Sequence, residues 1–271
     1  MFDDFADTFD EKLGALQYKV PQLVGEAAYD LLKMSNMDSF NTVLDAGCGT
    51  GLAGRFLRPL VAGSLVGADL SQNMLKLAAE CTLTKGCGLK EEDDTTRAEN
   101  DDDERPKTPL YDKLVSSDLE KVTIDELTNG LPGDSLREGF DLIVAADVLV
   151  YFGDIQKVLN NFAQLSNGDD TNSSFLVFSC ERIEDEKAPP AGWKLQSSGR
   201  YAHSKSYVQD VASNAGFHLI GYEEIVPRQE KGEDVKGHMF ILAIGGAALG
   251  EDGFDEDGSE FVVETTILDE L

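Results

Sequence analysis

The segment TVLDAGCGTGLAGRFL, residues 42–57, constrains the fold of this chain more than any other. An apolar run ends near Asp45, glycines follow at Gly47, Gly49 and Gly51, and a helical pattern of apolar residues comes next. A glycine loop between a strand and a helix lets a ligand approach backbone N–H groups and a helix N-terminus closely. In an open parallel sheet, this point lies at the carboxyl ends of the strands, where ligands bind. The segment therefore predicts an α/β fold with a ligand site at this loop.

Strand and helix patterns alternate through the rest of the chain, which is typical of a parallel sheet. Two late strands, residues 217–226 and 238–244, are joined by a short polar turn and should pair antiparallel. We therefore predict a doubly wound α/β fold with a seven-stranded, mostly parallel sheet and an antiparallel last strand. The earlier strands are expected at residues 42–46, 65–68, 114–117, 140–145 and 175–180, and helices at residues 2–16, 22–34, 52–61, 72–81 and 155–165.

The chain divides into a central domain with flanking and inserted segments. Residues 1–39 are expected to form a helical lid, and residues 40–245 a ligand-binding domain. Residues 82–109 include KEEDDTTRAENDDDERPK, an acidic and apolar-poor insertion that is typical of a disordered loop. Residues 246–271 form an acidic tail.

The net charge of −28 disfavours two classes of partner. Such a charge repels phosphate backbones and anionic membrane surfaces, so we expect neither nucleic acid nor membrane partners. The first ten residues contain four Asp and no basic residue, which argues against a secretory or transit peptide. None of the four cysteines forms a CxxC or metal-ligand pattern, so we expect no metal, free thiols and a cytoplasmic location.

The glycine loop leaves two ligand classes open. Gly49, Gly51 and Gly54 form a formal GxGxxG, and Asp69 follows Gly49 by 20 residues, which is the spacing of dinucleotide sites. This pattern alone permits a nicotinamide-dependent oxidoreductase. Asp45 argues against it, because a carboxylate at the strand end suits a cationic ligand better than a pyrophosphate. S-adenosylmethionine, which bears an ammonium and a sulfonium group, fits that requirement.

Two motifs resemble those of class I S-adenosylmethionine-dependent methyltransferases. DAGCGTG, residues 45–51, is similar to the first motif, and GADLS, residues 67–71, is similar to the second. The resemblance implies a Rossmann-like methyltransferase fold, S-adenosylmethionine as donor and S-adenosylhomocysteine as product. It also implies that Asp69 binds both ribose hydroxyls and that Leu70 lines the adenine slot. The cofactor residues expected are Tyr18, Asp45, Ala46, Gly47, Cys48, Gly49, Gly51, Asp69, Leu70, Asp118, Leu119 and Ala145.

A narrower resemblance covers the lid and two later segments. Residues 2–21, AADVLVYFGD at residues 145–154, and the run from Arg200 to His203 are similar to methyltransferases that are often fused to tetratricopeptide repeats. This chain contains no repeats, so no repeat-bound partner is implied. In that group Tyr18 comes from the lid and touches the cofactor.

The acceptor side is less constrained by the sequence. Methyl transfer from a sulfonium is an in-line displacement, so the protein mainly positions the reactants, and a base is needed only if the acceptor carries a proton. We expect Asp147 and Tyr151, after the fourth strand, to contribute, and His203 to act as general base. Arg182 or Arg200 could bind an acidic substrate. Glu181 and Tyr201 are further candidates from neighbouring segments.

Three functions compete at this stage. The first is a methyltransferase whose acceptor is a small molecule or, as the next choice, a protein side chain. A nucleic acid acceptor is disfavoured, because the NPPY-like tetrapeptide of nucleic-acid methylases does not follow the fourth strand. The second is the oxidoreductase. The third is a non-catalytic binding protein of the same fold, which would be expected to show a damaged glycine loop, whereas Gly47, Gly49 and Gly51 are all present.

Overall fold

The computed structural model describes residues 16–83, 108–132 and 139–246. The predicted helix at residues 2–16, most of the acidic insertion and the tail from residue 247 lie outside these ranges. The two ends of the insertion meet, because Thr82 and Pro109 form an antiparallel bridge. The amide of Leu110 also donates to the carbonyl of Cys81 at 3.2 Å. The residues on either side of the insertion therefore lie next to each other.

A twisted sheet forms the centre of the described chain. Its main path has seven strands in the spatial order β3-β2-β1-β4-β5-β11-β8. Their bounds are β1 Phe40–Ala46, β2 Val61–Asp69, β3 Lys113–Ser116, β4 Leu142–Ala145, β5 Ser173–Arg182, β8 His218–Ile225 and β11 Gly237–Gly245. The strands β1 to β5 pair in parallel. The last strand, β11, runs antiparallel between β5 and β8, so the predicted fold class is confirmed.

Helices cover both faces of the sheet. They are α1 Val20–Met34, α2 Gly54–Leu57, α3 Gln72–Ala79, α4 Ile124–Thr128, α5 Gln156–Leu165 and α6 Lys205–Asn214. One apolar core forms where Val24 and Leu31 of α1 and Leu75 of α3 pack on the sheet. The other forms where α5 and α6 supply Phe162 and Val208. Burial of these two apolar stripes is the main force that holds the three layers together.

Strand order brings the ends of several strands together. β1 lies between β2 and β4, and the chain crosses from one side of the sheet to the other between β3 and β4. Such a switch point leaves a crevice at the carboxyl ends of the strands. The loop that follows β1 lies at this crevice.

Two small hairpins were not predicted from the sequence. β6 Trp193–Leu195 and β7 Tyr201–His203 pair antiparallel, and β7 also extends β5 in parallel. β9 Gln229–Glu230 and β10 Glu233–Asp234 form a two-residue-turn hairpin between β8 and β11. The second hairpin lies in the polar turn that the sequence indicates between the last two strands.

Helix boundaries differ from the prediction chiefly in one place. The predicted helix at residues 52–61 is reduced to α2 and a 3₁₀ turn, Arg58–Leu60, because Pro59 cannot continue an α-helix. Ser71 caps α3 and accepts from the amide of Met74 at 3.2 Å. α6 is capped by Ser204, whose hydroxyl accepts from the amide of Tyr207.

Within the described ranges, no helix is long and apolar enough to cross a membrane. Cys48 and Cys180 are free thiols, whereas Cys81 is disulfide-bonded. The expectation of free cysteines is therefore wrong at Cys81, and the cytoplasmic location that rested on it stays a prediction.

Candidate functional site

A cavity of about 380 Å³ lies at the carboxyl ends of the parallel strands. The turns after β1, β2, β3 and β4 each contribute to its wall. Its volume lies within the range of sites that enclose a cofactor or a drug-sized ligand. The strand ends therefore meet at one ligand-sized space.

The glycine loop is fixed to β2 and leaves its backbone open to the cavity. The amides of Gly47 and Cys48 both donate to the carbonyl of Ala68, at 2.7 and 3.0 Å. Gly47 has φ +77°, and a Cβ there would fall 2.5 Å from a methyl carbon of Val148. Gly49 has φ +54°, and a Cβ there would meet nothing within 4 Å. The first glycine is therefore required by packing, while the second keeps the cavity side of the loop open.

Asp69 joins the loop to the end of β2. Its two oxygens accept from the amide of Gly49 at 2.9 Å and from that of Ser71 at 2.8 Å. These bonds hold the carboxylate at the cavity wall, beside the exposed side chain of Leu70.

Asp118 lies in the turn after β3 and lines the same cavity. It accepts from the ammonium of Lys121 at 2.8 Å and from the amide of Glu120 at 3.0 Å. The hydrogen bond from Lys121 is the main reason that the pKa of Asp118 lies below its usual range. Leu119 is buried beside it.

Asp45 is fully buried beneath the loop. The hydroxyl of Tyr111 donates to its Oδ2 at 2.7 Å, while Oδ1 is buried without a partner. Burial raises the pKa of Asp45 to about 7, the hydrogen bond from Tyr111 opposes this rise, and the nearby charge of Asp69 adds to it. An unsatisfied buried carboxylate oxygen is costly, which is the kind of feature that functional sites retain.

Asp147 marks the other end of the cavity. It has φ +54°, an uncommon conformation for a residue with a side chain, and its amide donates to Ser179 Oγ at 2.9 Å. Its side chain is 9% exposed, and Oδ1 is buried without a partner. Tyr151 lines the cavity nearby and shares a hydrogen bond with Arg200.

A buried ion-pair cluster supports this end of the cavity. Arg228 is 0% exposed, and its guanidinium contacts Asp147 at 3.3 Å, Glu230 at 2.9 Å and Glu181. Burial alone would lower the pKa of Arg228, but the surrounding carboxylates raise it above its usual value. Glu230 also accepts from Arg200 at 2.9 Å, which joins the buried cluster to the cavity wall.

The segment before α1 crosses this cluster as a strap, residues 16–19. The amide of Gln229 donates to the carbonyl of Leu16 at 2.8 Å, and the amide of Lys19 donates to that of Pro227 at 3.0 Å. Tyr18 lies between these bonds and lines the cavity. Burial and the charge of Asp147 raise the pKa of Tyr18 well above its ordinary value. The strap thus carries an aromatic side chain over the charged end of the site.

Most residues expected from the sequence meet at this cavity. Those that line it are Tyr18, Asp45, Gly47, Cys48, Gly49, Asp69, Leu70, Asp118, Leu119, Asp147 and Tyr151. Ala46, Gly51 and Ala145 are buried behind the wall. Arg228 and Tyr111 were not singled out from the sequence, because neither belongs to a motif.

The structure does not bring His203 into the cavity. It is fully buried, and its Nε2 contacts the carbonyls of Phe152 and Gly153 at 3.0 Å each. Burial lowers the pKa of His203 to about 4. Both carbonyls only accept hydrogen bonds, so Nε2 carries the proton and holds the turn of Phe152. His203 therefore lies behind the cavity wall, and its expected role as general base finds no support.

The other acceptor-side candidates are held in packing or ion pairs. Arg182 pairs with Glu184 at 3.2 Å and with Glu224, which leaves it outside the cavity wall. Glu181 pairs with the buried Arg228. The ring of Tyr201 packs edge-on against Trp193.

Comparisons with known proteins agree with this geometry. Residues 44–168 match a family described as a methyltransferase domain. The fold is similar to an S-adenosylmethionine-dependent methyltransferase from Clostridium acetobutylicum, at 15% identity over 90% of this chain and 99% of that chain, with a TM-score of 0.53. It is also similar to the N-methyltransferase NodS from Bradyrhizobium japonicum in complex with S-adenosylhomocysteine, at 16% identity over 81% and 86% of the chains, with a TM-score of 0.50.

A further similar structure has another activity. The [4+2]-cyclase SpnF shares 13% identity over 83% of this chain and 82% of its own, with a TM-score of 0.55. No curated protein sequence matches this chain. Because one fold can host different reactions, the family match carries more weight than the structural similarity.

The family match, the glycine loop and the fold together define the class of protein. Residues 44–168 form a methyltransferase domain, on a fold that is shared with S-adenosylmethionine-dependent methyltransferases.

Proposed function

We propose that this methyltransferase acts on a small-molecule acceptor, which binds at the Asp147 end of the cavity. The observation that carries the proposal is that one cavity joins the glycine loop and Asp69 to Asp147 and Tyr151. A donor placed on the loop and an acceptor placed beside Asp147 would share that cavity. Tyr18 on the strap adds an aromatic ring to the wall, and a cavity of about 380 Å³ favours a small acceptor over a protein side chain.

The donor side has groups that fit S-adenosylmethionine. Asp69 would bind the ribose hydroxyls, and Leu70 and Asp118 would hold the adenine. The open backbone at Gly49 supports close approach of the ligand. The unpartnered Oδ1 of Asp45 supports a role near a cationic ligand, which is what a methionine ammonium requires. S-adenosylmethionine supplies an activated methyl group when it is bound.

The residues at the acceptor end would position the acceptor and exclude water. Such positioning accounts for most of the catalysis that a methyl transfer needs. We propose Asp147 and Tyr151 as the groups that contact the acceptor, whereas His203 is buried behind the wall. NodS, a structure of similar fold, is described as an N-methyltransferase, which is compatible with a small acceptor but not specific to one. A nucleic acid acceptor is disfavoured by the charge of −28.

Calorimetric titration with S-adenosylmethionine, NAD and NADP tests the donor site. We expect S-adenosylmethionine to bind and the two dinucleotides to give no heat. Asp69→Ala should weaken binding of S-adenosylmethionine at least tenfold, because it removes a charged hydrogen-bond partner. Asp210→Ala, which removes an exposed acid on α6, is the matched control and should leave binding unchanged. Binding of NAD in place of S-adenosylmethionine would contradict the proposal.

A further inference from the structure

The acceptor end of the cavity contains more carboxylates than cations. Five charged side chains form one connected cluster there, namely Asp147, Glu181, Glu230, Arg200 and Arg228. With all of them ionised, the three carboxylates exceed the two guanidinium groups by one charge. The cluster is largely shielded from water, so this excess charge is screened less than a surface charge would be.

The two guanidinium groups are already engaged within the cluster. Arg228 has no exposed surface and is shared among three carboxylates. Arg200 pairs with Glu230 and lines the cavity, and its Nε is buried without a partner. A carboxylate ligand could therefore find a donor at Arg200, but it would add a second negative charge to a cluster that already has an excess of one.

Asp147 is the carboxylate of the cluster that lines the cavity. Its side chain is 9% exposed, and its Oδ1 is shielded from solvent and accepts no hydrogen bond from the described chain. Its backbone conformation and the bond from its amide to Ser179 hold this oxygen in place. A ligand N–H donor with a positive charge would satisfy the oxygen and balance the excess charge.

We propose that the methyl acceptor is a small amine, which Asp147 binds in its ammonium form. This rests on the proposed function, because it assigns a substrate class to the same cavity. The ring of Tyr18 and the side chains of Pro21 and Phe152 line the wall around this end, so the amine carries an apolar body. The assignment replaces the expectation that Arg200 binds an acidic substrate.

The transfer can be written with atoms and charges in balance. The bound ammonium passes one proton to the carboxylate of Asp147, which leaves a lone pair on the nitrogen. That lone pair forms a bond to the methyl carbon while the bond from this carbon to the donor's sulfonium breaks, and its electron pair stays on sulfur. The products are an N-methylammonium and S-adenosylhomocysteine, and Asp147 then returns its proton to water.

The electrostatic surroundings of Asp147 are compatible with this role. Burial raises the pKa of Asp147 to about 6, although Arg228 and Arg200 lower it. The carboxyl group is therefore ionised at neutral pH and can accept a proton. The titratable and charged groups that face it are Arg228, Arg200, Glu181, Glu230, Tyr18, Tyr151 and Cys180.

Three probes that differ in one head group test the proposal. Benzylamine, benzyl alcohol and benzoate are titrated into the full chain saturated with S-adenosylhomocysteine, at pH 7.5. We expect benzylamine to bind about tenfold more tightly than benzyl alcohol, which is the effect of one charge-assisted hydrogen bond, and benzoate to bind most weakly. The series is measured on the wild-type protein, so the result does not depend on whether a variant folds.

A variant pair then locates the preference. Asp147→Asn should reduce the ratio of benzylamine to benzyl alcohol affinity to less than threefold, while Asp210→Asn, the same change at an exposed position, should keep it. Benzoate binding best, no binding of benzylamine, or equal binding of the amine and the alcohol would overturn the amine assignment. Failure of S-adenosylhomocysteine to bind would instead contradict the proposed function, so the two can fail separately.

Discussion

Asp45 shows how a single buried carboxylate can be costly for stability and useful for binding. It is fully buried, and Tyr111 satisfies one of its two oxygens. Its pKa in the folded protein, about 7, lies above the value of 3.8 that an unperturbed Asp has. Because the folded value is the higher one, its contribution to stability is fully present below pH 3.8 and is lost as the pH rises to about 7.

We predict that Asp45→Asn stabilises the protein at alkaline pH. The amide oxygen can still accept from Tyr111, and the buried charge is removed. The melting temperature at pH 8 should rise by on the order of 5 °C. The difference from the wild type should be smaller at pH 5.5, where folded Asp45 is mostly protonated. Thermal unfolding by circular dichroism measures both values. A variant that is less stable than the wild type at pH 8 would show that the carboxylate is compensated by a partner.

The residues of the site differ in how far the sequence could reveal them. Asp45, Asp69 and Asp147 could be predicted because each follows a recognisable strand at a fixed spacing. Arg228 could not, because its carboxylate partners come from β5, β9 and the turn after β4, which meet only in the folded chain. The position of His203 could not be predicted either, since the pairing of β7 with β5 places its ring in the interior.

At the scale of elements, the glycine loop combines two different requirements. Gly47 needs a positive φ and has no room for a Cβ beside Val148. Gly49 also has a positive φ, but the space next to it is open. The first position is therefore a packing requirement of the loop and the turn after β4, and the second is the place where we expect a ligand to approach the backbone.

We predict that alanine at these two positions separates stability from binding. Gly47→Ala should destabilise the protein by about 2–4 kcal/mol, from left-handed strain and overpacking. Gly49→Ala should cost only about 1–2 kcal/mol, from strain alone, yet weaken S-adenosylmethionine binding at least tenfold. Denaturant unfolding and calorimetry provide the two readouts.

Gly130→Ala is the control for that pair. Gly130 has φ +88° and nothing within 4 Å of its Cβ position, and it lies outside the cavity wall. It should show the loss of stability expected from strain with unchanged binding. If Gly49→Ala bound the donor as well as Gly130→Ala does, the donor would not approach the loop at Gly49.

Elements with strong periodicity could be predicted, and short ones could not. The parallel strands and α5 were evident because their apolar residues repeat over a full element. The hairpins β6–β7 and β9–β10 have two or three residues per strand, which is too short for a period to appear. They form because β5 and the strap offer them partners, and those partners are distant in sequence.

At the scale of the whole molecule, the strand order followed from simple rules. Alternating strands and helices predict a parallel sheet, and two late strands with a short connection predict an antiparallel end. The structure confirms both, with β11 between β5 and β8. The contact between the strap and the segment at residues 227–229 could not be foreseen. It depends on two backbone hydrogen bonds between residues that are distant in sequence.

The charge of the whole chain leads to the last prediction, on the effect of salt. With 51 acidic and 23 basic residues, the exposed charges of the folded chain repel one another on balance. Salt screens this repulsion, because it shortens the Debye length from about 30 Å at 0.01 M to about 10 Å at 0.1 M. Buried pairs such as those of Arg228 are screened far less. We therefore expect the melting temperature at pH 8 to rise by several degrees between 10 and 200 mM NaCl, and to rise equally with KCl. The association rate of the cationic donor should fall over the same range, because the same negative field attracts it. Thermal unfolding measures the melting temperature, and stopped-flow mixing measures the association rate. A melting temperature that falls with salt would mean that attractive surface pairs, rather than net repulsion, dominate the electrostatic contribution to stability.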